Sequence, residues 1–567
     1  MVAATKIPLV FGITGHRDIP AEDAAKHAAE IAGLLTDYKK KNPSSPLLVL
    51  TSLAEGADRI AAGAAQALSV PFLAILPMSQ ADYETDFDGS SREIFRNLIA
   101  KAAKTIVVED TAGISSPAER DRLYEQASIY VALHSHVLIA LWNGYDGDTE
   151  GRAAKPGGTA ATVKFRQTGV LPGGRPLPPF CRKEGSLLDA PDMPRIAHFR
   201  VRRLSDARTP QVSPFTVGTT HRGSDIRDRK HIDQLFFNLE RFNAAVDRNA
   251  ALLARRVTKC AEFLLPSEHM ARFAELSDLR ARFATADALA IHFRDLVQVT
   301  LGLLALAALA AFFVFELFAH LRSTQVVLGF YLAILILAWT SYVRVVKPKD
   351  WQGKYLDYRA LAEALRVQFF WRAGGLPFDA ADFYLRSQGG DLSWIRHAAR
   401  ICNILPLSSS ANPDVKLVET HWIENQRDFF EGAAQREGRA FRRWTRFLLI
   451  AYTAGAILAL LAFIWFPSDP AGTESLSFKA IIIVMGLCPA IAATIGFVLE
   501  RRAFESHSRQ YRLMAELFRR ASDALKGANG DLVRQRLILD AVGREALAEN
   551  GDWVFMHRER RIAPPTN

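Results

Sequence analysis

Five short, continuous apolar runs alternate with helical stretches over the first 142 residues. They are 7–14 (IPLVFGIT), 46–52, 71–77, 105–108 and 136–142 (HVLIALW). Between them lie a polar helical pattern over 21–41, closed by Asn42-Pro43, a helix opening at 54–58, and a long helical pattern over 117–133. Runs that are apolar throughout, rather than alternating, predict strands buried on both faces of a parallel sheet. The expected first domain is an open, doubly wound α/β fold.

The pattern changes completely from residue 296. Val297–Phe315 (VQVTLGLLALAALAAFFVF) and Val326–Val343 (VVLGFYLAILILAWTSYV) carry no charge, and a polar break at His320–Gln325 separates them. Phe447–Phe466 and Ala480–Leu499 repeat the arrangement. A hydrocarbon core of ~30 Å needs roughly 20 helical residues. Spans are therefore expected at about 296–318, 326–346, 447–466 and 479–499, as two hairpins. Between sheet and spans, Thr209–Ser224 reads as a domain boundary. Helical patterns at 229–265 and 270–294 follow, with Leu235, Phe236, Leu239 and Phe242 at core-packing spacing. The division expected is 1–208 for the α/β domain and 209–295 for linker and helical connector. Two membrane modules follow, at 296–435 and 436–567.

The hairpins belong to a duplicated unit. Tyr358-Arg359-Ala360-Leu361-Ala362-Glu363-Ala364-Leu365-Arg366 follows the second span, and Tyr511-Arg512-Leu513-Met514-Ala515-Glu516-Leu517-Phe518-Arg519 follows the fourth. Repetition of this kind marks two copies of one structural unit. Arg359 and Glu363, like Arg512 and Glu516, stand four apart, as surface ion pairs or as part of a helix docking face.

The net charge of +10 would suggest nucleic acid in a soluble protein. Here the basic residues flank the spans: Lys347, Lys349, Lys354, Arg442, Arg443, Arg446, Arg501 and Arg502. Direct nucleic-acid binding is therefore not expected. The positive-inside bias places both termini on the cytoplasmic side of an inner membrane. The four cysteines are scattered without a CxxC pair, which suggests neither a zinc site nor a disulfide framework. No cleaved signal peptide is expected from the N-terminal residues. Glu316 is the one acid inside a span, and Pro489 is expected to kink the fourth.

Candidate chemistry falls at three loops that follow strands. Gly12, Thr14, Gly15, His16 and Arg17 form the first, with glycines for close approach, a hydroxyl, and a guanidinium suited to phosphate. Ser52, Glu55, Gly56, Ala57, Asp58 and Arg59 form the second, where a strand turns into a helix. Gly157, Gly158 and Thr159 form the third, another glycine turn into a helix. Ligands of such sheets bind outside the carboxyl ends of the strands, where strand order reverses. A nucleotide-derived ligand is the expected partner, with no cofactor and no metal. Glu55 and Asp58 are also available as acid or base groups, or as helix N-terminal carboxylates.

The ordered set GITGHRD, TSLAEGADRIAA, SHVLIALWNG and PGGTAATV resembles the SLOG superfamily, the Rossmann-like group related to DprA and the LOG phosphoribohydrolases. The resemblance covers about 5–205, with 196–204 as a late strand, and implies nucleotide-derived ligands at the loops above. The enzymatic LOG branch carries a catalytic glutamate after its glycine pair. Here Gly158-Thr159 is followed by AATVKFR, a departure that favours a sensor over a hydrolase. The hairpins with their YR-x-x-AE helices and later tryptophan segments resemble SLATT modules, two-span membrane units found beside SLOG sensors in prokaryotic conflict systems. That resemblance implies a membrane effector, a pore or permeability switch triggered by a nucleotide signal; because four helices this apolar do not obviously enclose water alone, a homo-oligomer is expected. A membrane-anchored nucleotide hydrolase is the competing expectation.

Overall fold

A computed structural model of the chain describes residues 2–109, 116–144, 155–178, 180–181, 195–205, 226–321, 324–385, 392–405, 413–464, 473 and 475–559. The stretch Thr209–Ser224, residues 182–194, Arg322 and residues 465–466 at the end of the third apolar run lie outside the described residues.

The N-terminal apolar runs become strands β1 (Leu9–Gly15), β2 (Leu47–Thr51), β3 (Phe72–Leu76), β4 (Lys104–Val107), β5 (Val137–Trp142) and β6 (Arg195–Arg200). They form one parallel six-stranded sheet in the order β4-β3-β2-β1-β5-β6. All six residues of β5 are buried, which is why this strand reads as an unbroken apolar run. Chain order reverses between β1 and β5, where Thr14 stands beside Ala140 and Gly15 beside Leu141. Helices α1 (Ala21–Lys41) and α2 (Ala57–Ala67) pack together, as do α5 (Pro117–Leu133) and α6 (Thr159–Thr168). The short α3 (Gln80–Glu84) and α4 (Gly89–Lys101) lie between β3 and β4 in sequence.

The longer helices that follow are α7 (Ile226–Arg248), α8 (Ala250–Leu264), α9 (Ser277–His320), α10 (Gln325–Ser341), α11 (Trp351–Ala373), α12 (Ser393–Cys402), α13 (Asn425–Ile464), α14 (Leu476–Arg502), α15 (Phe504–Gly527) and α16 (Leu532–Glu559). The chain divides into two compact units that cut across sequence order. One comprises 1–288, 358–418 and 532–551, and the other 289–357, 419–531 and 552–567.

In the first unit the sheet is extended by helices from far along the chain. Leu235, Phe236, Leu239 and Phe242 of α7 are all buried. Asn243 is fully buried, yet its amide accepts from Ile7 N–H and donates to Ile7 C=O and Ser45 Oγ, each at 2.9 Å. A buried amide is tolerable only when satisfied in this way. Further on, Tyr358 of α11 packs edge-on to Phe242 with centroids 5.1 Å apart, and the Trp371 indole N–H donates to Leu539 C=O of α16 at 3.0 Å.

Among the described residues four helices are long and apolar enough to cross a membrane, and their apolar stretches belong to the second unit. Leu303, Leu337 and Phe463 are exposed at 62%, 68% and 81%, a surface that suits lipid rather than water. Thr300, Thr340, Thr453 and Thr494 each donate to the carbonyl four residues earlier, at 2.7–2.9 Å. Their hydroxyls are thus satisfied within their own helices. Gly455 lets α13 approach α14 so closely that a Cβ there would lie 2.9 Å from Cys488 Cβ and 3.5 Å from Pro489 Cδ. Small residues at such crossings are the usual basis of membrane helix packing. The Glu316 carboxylate lies 3.4 Å from His320 Nε2 and only 3.1–3.3 Å from where a Gly486 Cβ would be.

Candidate functional site

At the reversal between β1 and β5 the sheet opens into a cleft of about 710 Å³, within the size range of small-molecule sites. Of the sequence-singled residues, Thr14, Gly15, His16, Arg17, Ser52, Asp58, Gly157, Gly158 and Thr159 line it. All three loops therefore meet at one place. Gly12, Glu55, Gly56, Ala57 and Arg59 do not line it, and each has another task.

Gly12 is a packing glycine, because a Cβ would lie 2.9 Å from both Ser135 and Val131 of α5. Gly15 and Gly56 let the first two loops interlock. A Cβ on Gly15 would approach Ala57 Cβ to 2.3 Å, and one on Gly56 would approach the carbonyl oxygens of His16 and Arg17 to 2.4 and 2.5 Å. Across this contact Ala57 N–H donates to His16 C=O at 3.1 Å. Glu55 accepts from Ser91, and Arg59 reaches Ser91 Oγ at 2.9 Å and lies 4.9 Å over the Phe87 ring.

Asp58 is buried and accepts from the Thr51 hydroxyl at 2.7 Å and from Ser52 N–H at 2.9 Å. It clamps the end of β2 to the start of α2. Burial raises its pKa, against the lowering effect of those two hydrogen bonds. His16 Nε2 accepts the Asn143 N–H at 3.2 Å and lies 3.0 Å from Asn143 Oδ1. The ends of β1 and β5 are thereby joined above the sheet.

Arg17 projects into the open mouth, its guanidinium 5.6 Å from the Tyr124 ring centroid. Its charge is favoured on balance. Burial acts against it, but Tyr83, Tyr124, Asp86 and Asp58 raise its pKa. The other two Lys and Arg side chains among the described lining residues have acidic partners. Lys155 lies 3.7 Å from Asp121, and Arg203 donates to Asp18 at 2.9 Å. Burial would raise the Asp18 pKa, but hydrogen bonds from Arg203 and Ser205 outweigh it and hold the carboxyl at about 2.

Helix α6 begins at the cleft wall, and its N-cap, Gly158, provides no side-chain hydrogen bond. Its first-turn amides have no intrahelical acceptor, and the dipole there favours an anion. Gly157, at φ +68°, makes the turn; a Cβ on it would sit 2.8 Å from Tyr124 backbone and side-chain atoms. The cleft thus offers a cation, open helix amides and an aromatic wall. Among the described residues no group of three His, Cys, Asp or Glu is placed to hold a metal.

Sequence spacing gave no reason to single out Tyr83, Tyr124, Asn143, Lys155 or Arg203, which also line the cleft. Tyr83 and Tyr124 come from the bodies of α3 and α5, where an aromatic reads as core. Tyr124 donates to Asp86, which also pairs with Arg120 at 2.5 Å. That network holds the ring beside Arg17.

The two copies of the repeated helix differ. In the first, Arg359 pairs with Glu363 and, at 3.1 Å, with Asp287. In the second, Glu516 is engaged by Arg519 at 2.7 and 2.9 Å, and the Arg512 Nε donates to Ser508 C=O of its own helix at 3.2 Å. The Tyr511 ring lies 5.8 Å from Phe430 of α13, whereas Tyr358 is fully buried.

No family model matches the chain, and no curated protein does either.

Proposed function

We propose that this protein is a nucleotide-gated membrane effector: the α/β domain binds a nucleotide-derived ligand, and the four spans change membrane permeability in response. The observation that carries the ligand half is the meeting of Arg17 with the open amides of α6 in one cleft at the strand-order reversal. A phosphate is the group that uses both. Tyr124 adds a flat face for a base or ribose. The resemblance to SLOG sensors and SLATT modules supports the same pairing of input and output, in a prokaryotic conflict system.

The two carboxylates singled out as acid or base groups are held by protein hydrogen bonds, Glu55 by Ser91 outside the cleft and Asp58 at the cleft wall by Thr51 and Ser52. That supports sensing over turnover. Helix α9 is uninterrupted from Ser277 to His320, a direct covalent route from the ligand-binding unit to the first span. Four apolar helices do not line a water path by themselves, so the effector works as a homo-oligomer. The basic flanks of the spans support an orientation with both termini on the cytoplasmic side of the inner membrane.

The test is dye release from liposomes carrying the full-length protein, with nucleoside phosphates and dinucleotides added in turn. Wild type is expected to leak with one of them, and Arg17→Ala to require far more of it. Equal leakage by both proteins, with or without nucleotide, refutes the reading.

A further inference from the structure

The second copy of the repeat contains a groove beside its arginine, the residue that is ion-paired in the first copy. It lies between α13 and α15, encloses about 420 Å³, and is lined among others by Gly438, Arg442, Ser508, Arg512 and Glu516. In the first copy the corresponding arginine, Arg359, is neutralised by Asp287 and Glu363. In the second, Glu516 has both oxygens on Arg519. Among the described residues Arg512 has only a hydrogen bond to its own helix, and no carboxylate stands in ion-pair range of Arg442.

Gly438 makes the space. A Cβ there would lie 3.2 Å from Ser508 Oγ and 3.7 Å from an Arg442 guanidinium nitrogen. A glycine inside a helix costs about 1 kcal/mol relative to alanine, so its presence in α13 calls for a local reason. The groove end that carries Arg442 is five residues before Phe447, where the third apolar run starts. That is about 7.5 Å along a helix, the depth of a lipid headgroup beside a span.

We propose that this groove binds a phosphate group, supplied by an anionic lipid at the membrane boundary, between Arg442 and Arg512. Ser508 and the open backbone face at Gly438 admit the phosphate oxygens. The site is independent of the nucleotide cleft. It makes the second module sensitive to lipid composition, while the first module, with its arginine internally paired, is not.

The test uses the full-length protein in detergent, with its melting temperature followed against added cardiolipin, phosphatidylcholine or inorganic phosphate. Cardiolipin is expected to stabilise wild type and phosphatidylcholine is not. Losing two arginines from an anionic-lipid site is expected to raise the half-effective cardiolipin concentration about 30-fold in Arg442→Gln/Arg512→Gln. Arg443→Gln removes one equivalent charge outside the groove and is expected to leave the titration in place. Stabilisation by inorganic phosphate that equals that of cardiolipin and is lost in the double variant keeps the anion site and assigns it to soluble phosphate. An unchanged double variant of native helical content, or an equal loss in Arg443→Gln, overturns the proposal.

Discussion

Replacing Gly56 by alanine tests the architecture of the cleft at its tightest point. Gly56 sits at φ +69° and ψ −117°, a mirror-image extended conformation that glycine alone adopts freely. Holding an L-residue in such a sparsely populated region costs about 1–3 kcal/mol. The new Cβ would also stand 2.4 and 2.5 Å from the His16 and Arg17 carbonyl oxygens. These are backbone atoms, so a rotamer change cannot relieve the clash. Overpacking of this kind adds about 1–3 kcal/mol. The sum, roughly 2–6 kcal/mol, should be released by separating the first two loops and breaking the Ala57 N–H to His16 C=O bond.

Hydrogen exchange read by mass spectrometry on the full-length protein can locate that separation. At 1.4 kcal/mol per decade, amides at 15–17 and 56–60 should exchange at least about 30-fold faster. Amides in α7 and α11 should change little. Gly63, in the body of the same helix, provides the control. It has open space around its Cβ position, so Gly63→Ala should stabilise α2 by roughly 0.5–1 kcal/mol. If Gly56→Ala exchanges like wild type, the two loops are not held together by this contact, and the cleft as described is wrong.

Three further outcomes follow from other contacts. Tyr130→Phe removes a hydroxyl that donates to Leu405 C=O at 2.9 Å and accepts its N–H at 3.0 Å. Two buried backbone groups lose their partner, so a loss of about 2 kcal/mol or more is expected in denaturant unfolding; a neutral substitution would contradict the packing of that segment on α5. Gly543→Ala would drive a Cβ to 2.3 Å from Trp371 Nε1. Faster hydrogen exchange at 368–374 and 536–545 is expected, against no change if α16 does not dock there. The Asp18 pKa is lowered to about 2, so its pairing with Arg203 stabilises the folded form above roughly pH 4, the unfolded carboxyl value, and this contribution is lost as pH falls towards 2. Both partners are partly exposed, at 28% and 36%, which keeps the effect small. Wild type should nonetheless lose stability more steeply than Asp18→Asn between those pH values, and parallel acid profiles would contradict it.

What was legible in this chain, and what was not, follows from the range of the interactions involved. The strands and spans could be read because each is set by a local condition. A strand covered on both faces must be apolar at every position, as β5 is, and a span must remain apolar for its whole length. The composition of the cleft was legible for a similar reason, since Thr14, Arg17, Ser52 and Gly157 stand directly at strand ends or at a helix start. Local pattern did not distinguish glycines that line the cleft from glycines that only make room for protein. Gly12 sits in the same motif as Gly15, yet only Gly15 lines the cleft, while Gly12 faces Val131 and Gly56 faces the His16 carbonyl. Contacts between distant segments were wholly hidden. Trp371 bonds to Leu539, 168 residues away, so the membership of α11 from Tyr358 onward and of α16 as far as Gly551 in the sheet-bearing unit has no signature in either stretch. The repeat makes the same point more sharply. One nonapeptide pattern occurs twice, but its arginine meets Asp287 in one copy and an open groove beside Gly438 in the other. The motif specifies a helix with an apolar face and a basic edge. The residue opposite that edge decides whether the arginine is closed off or left open to a ligand.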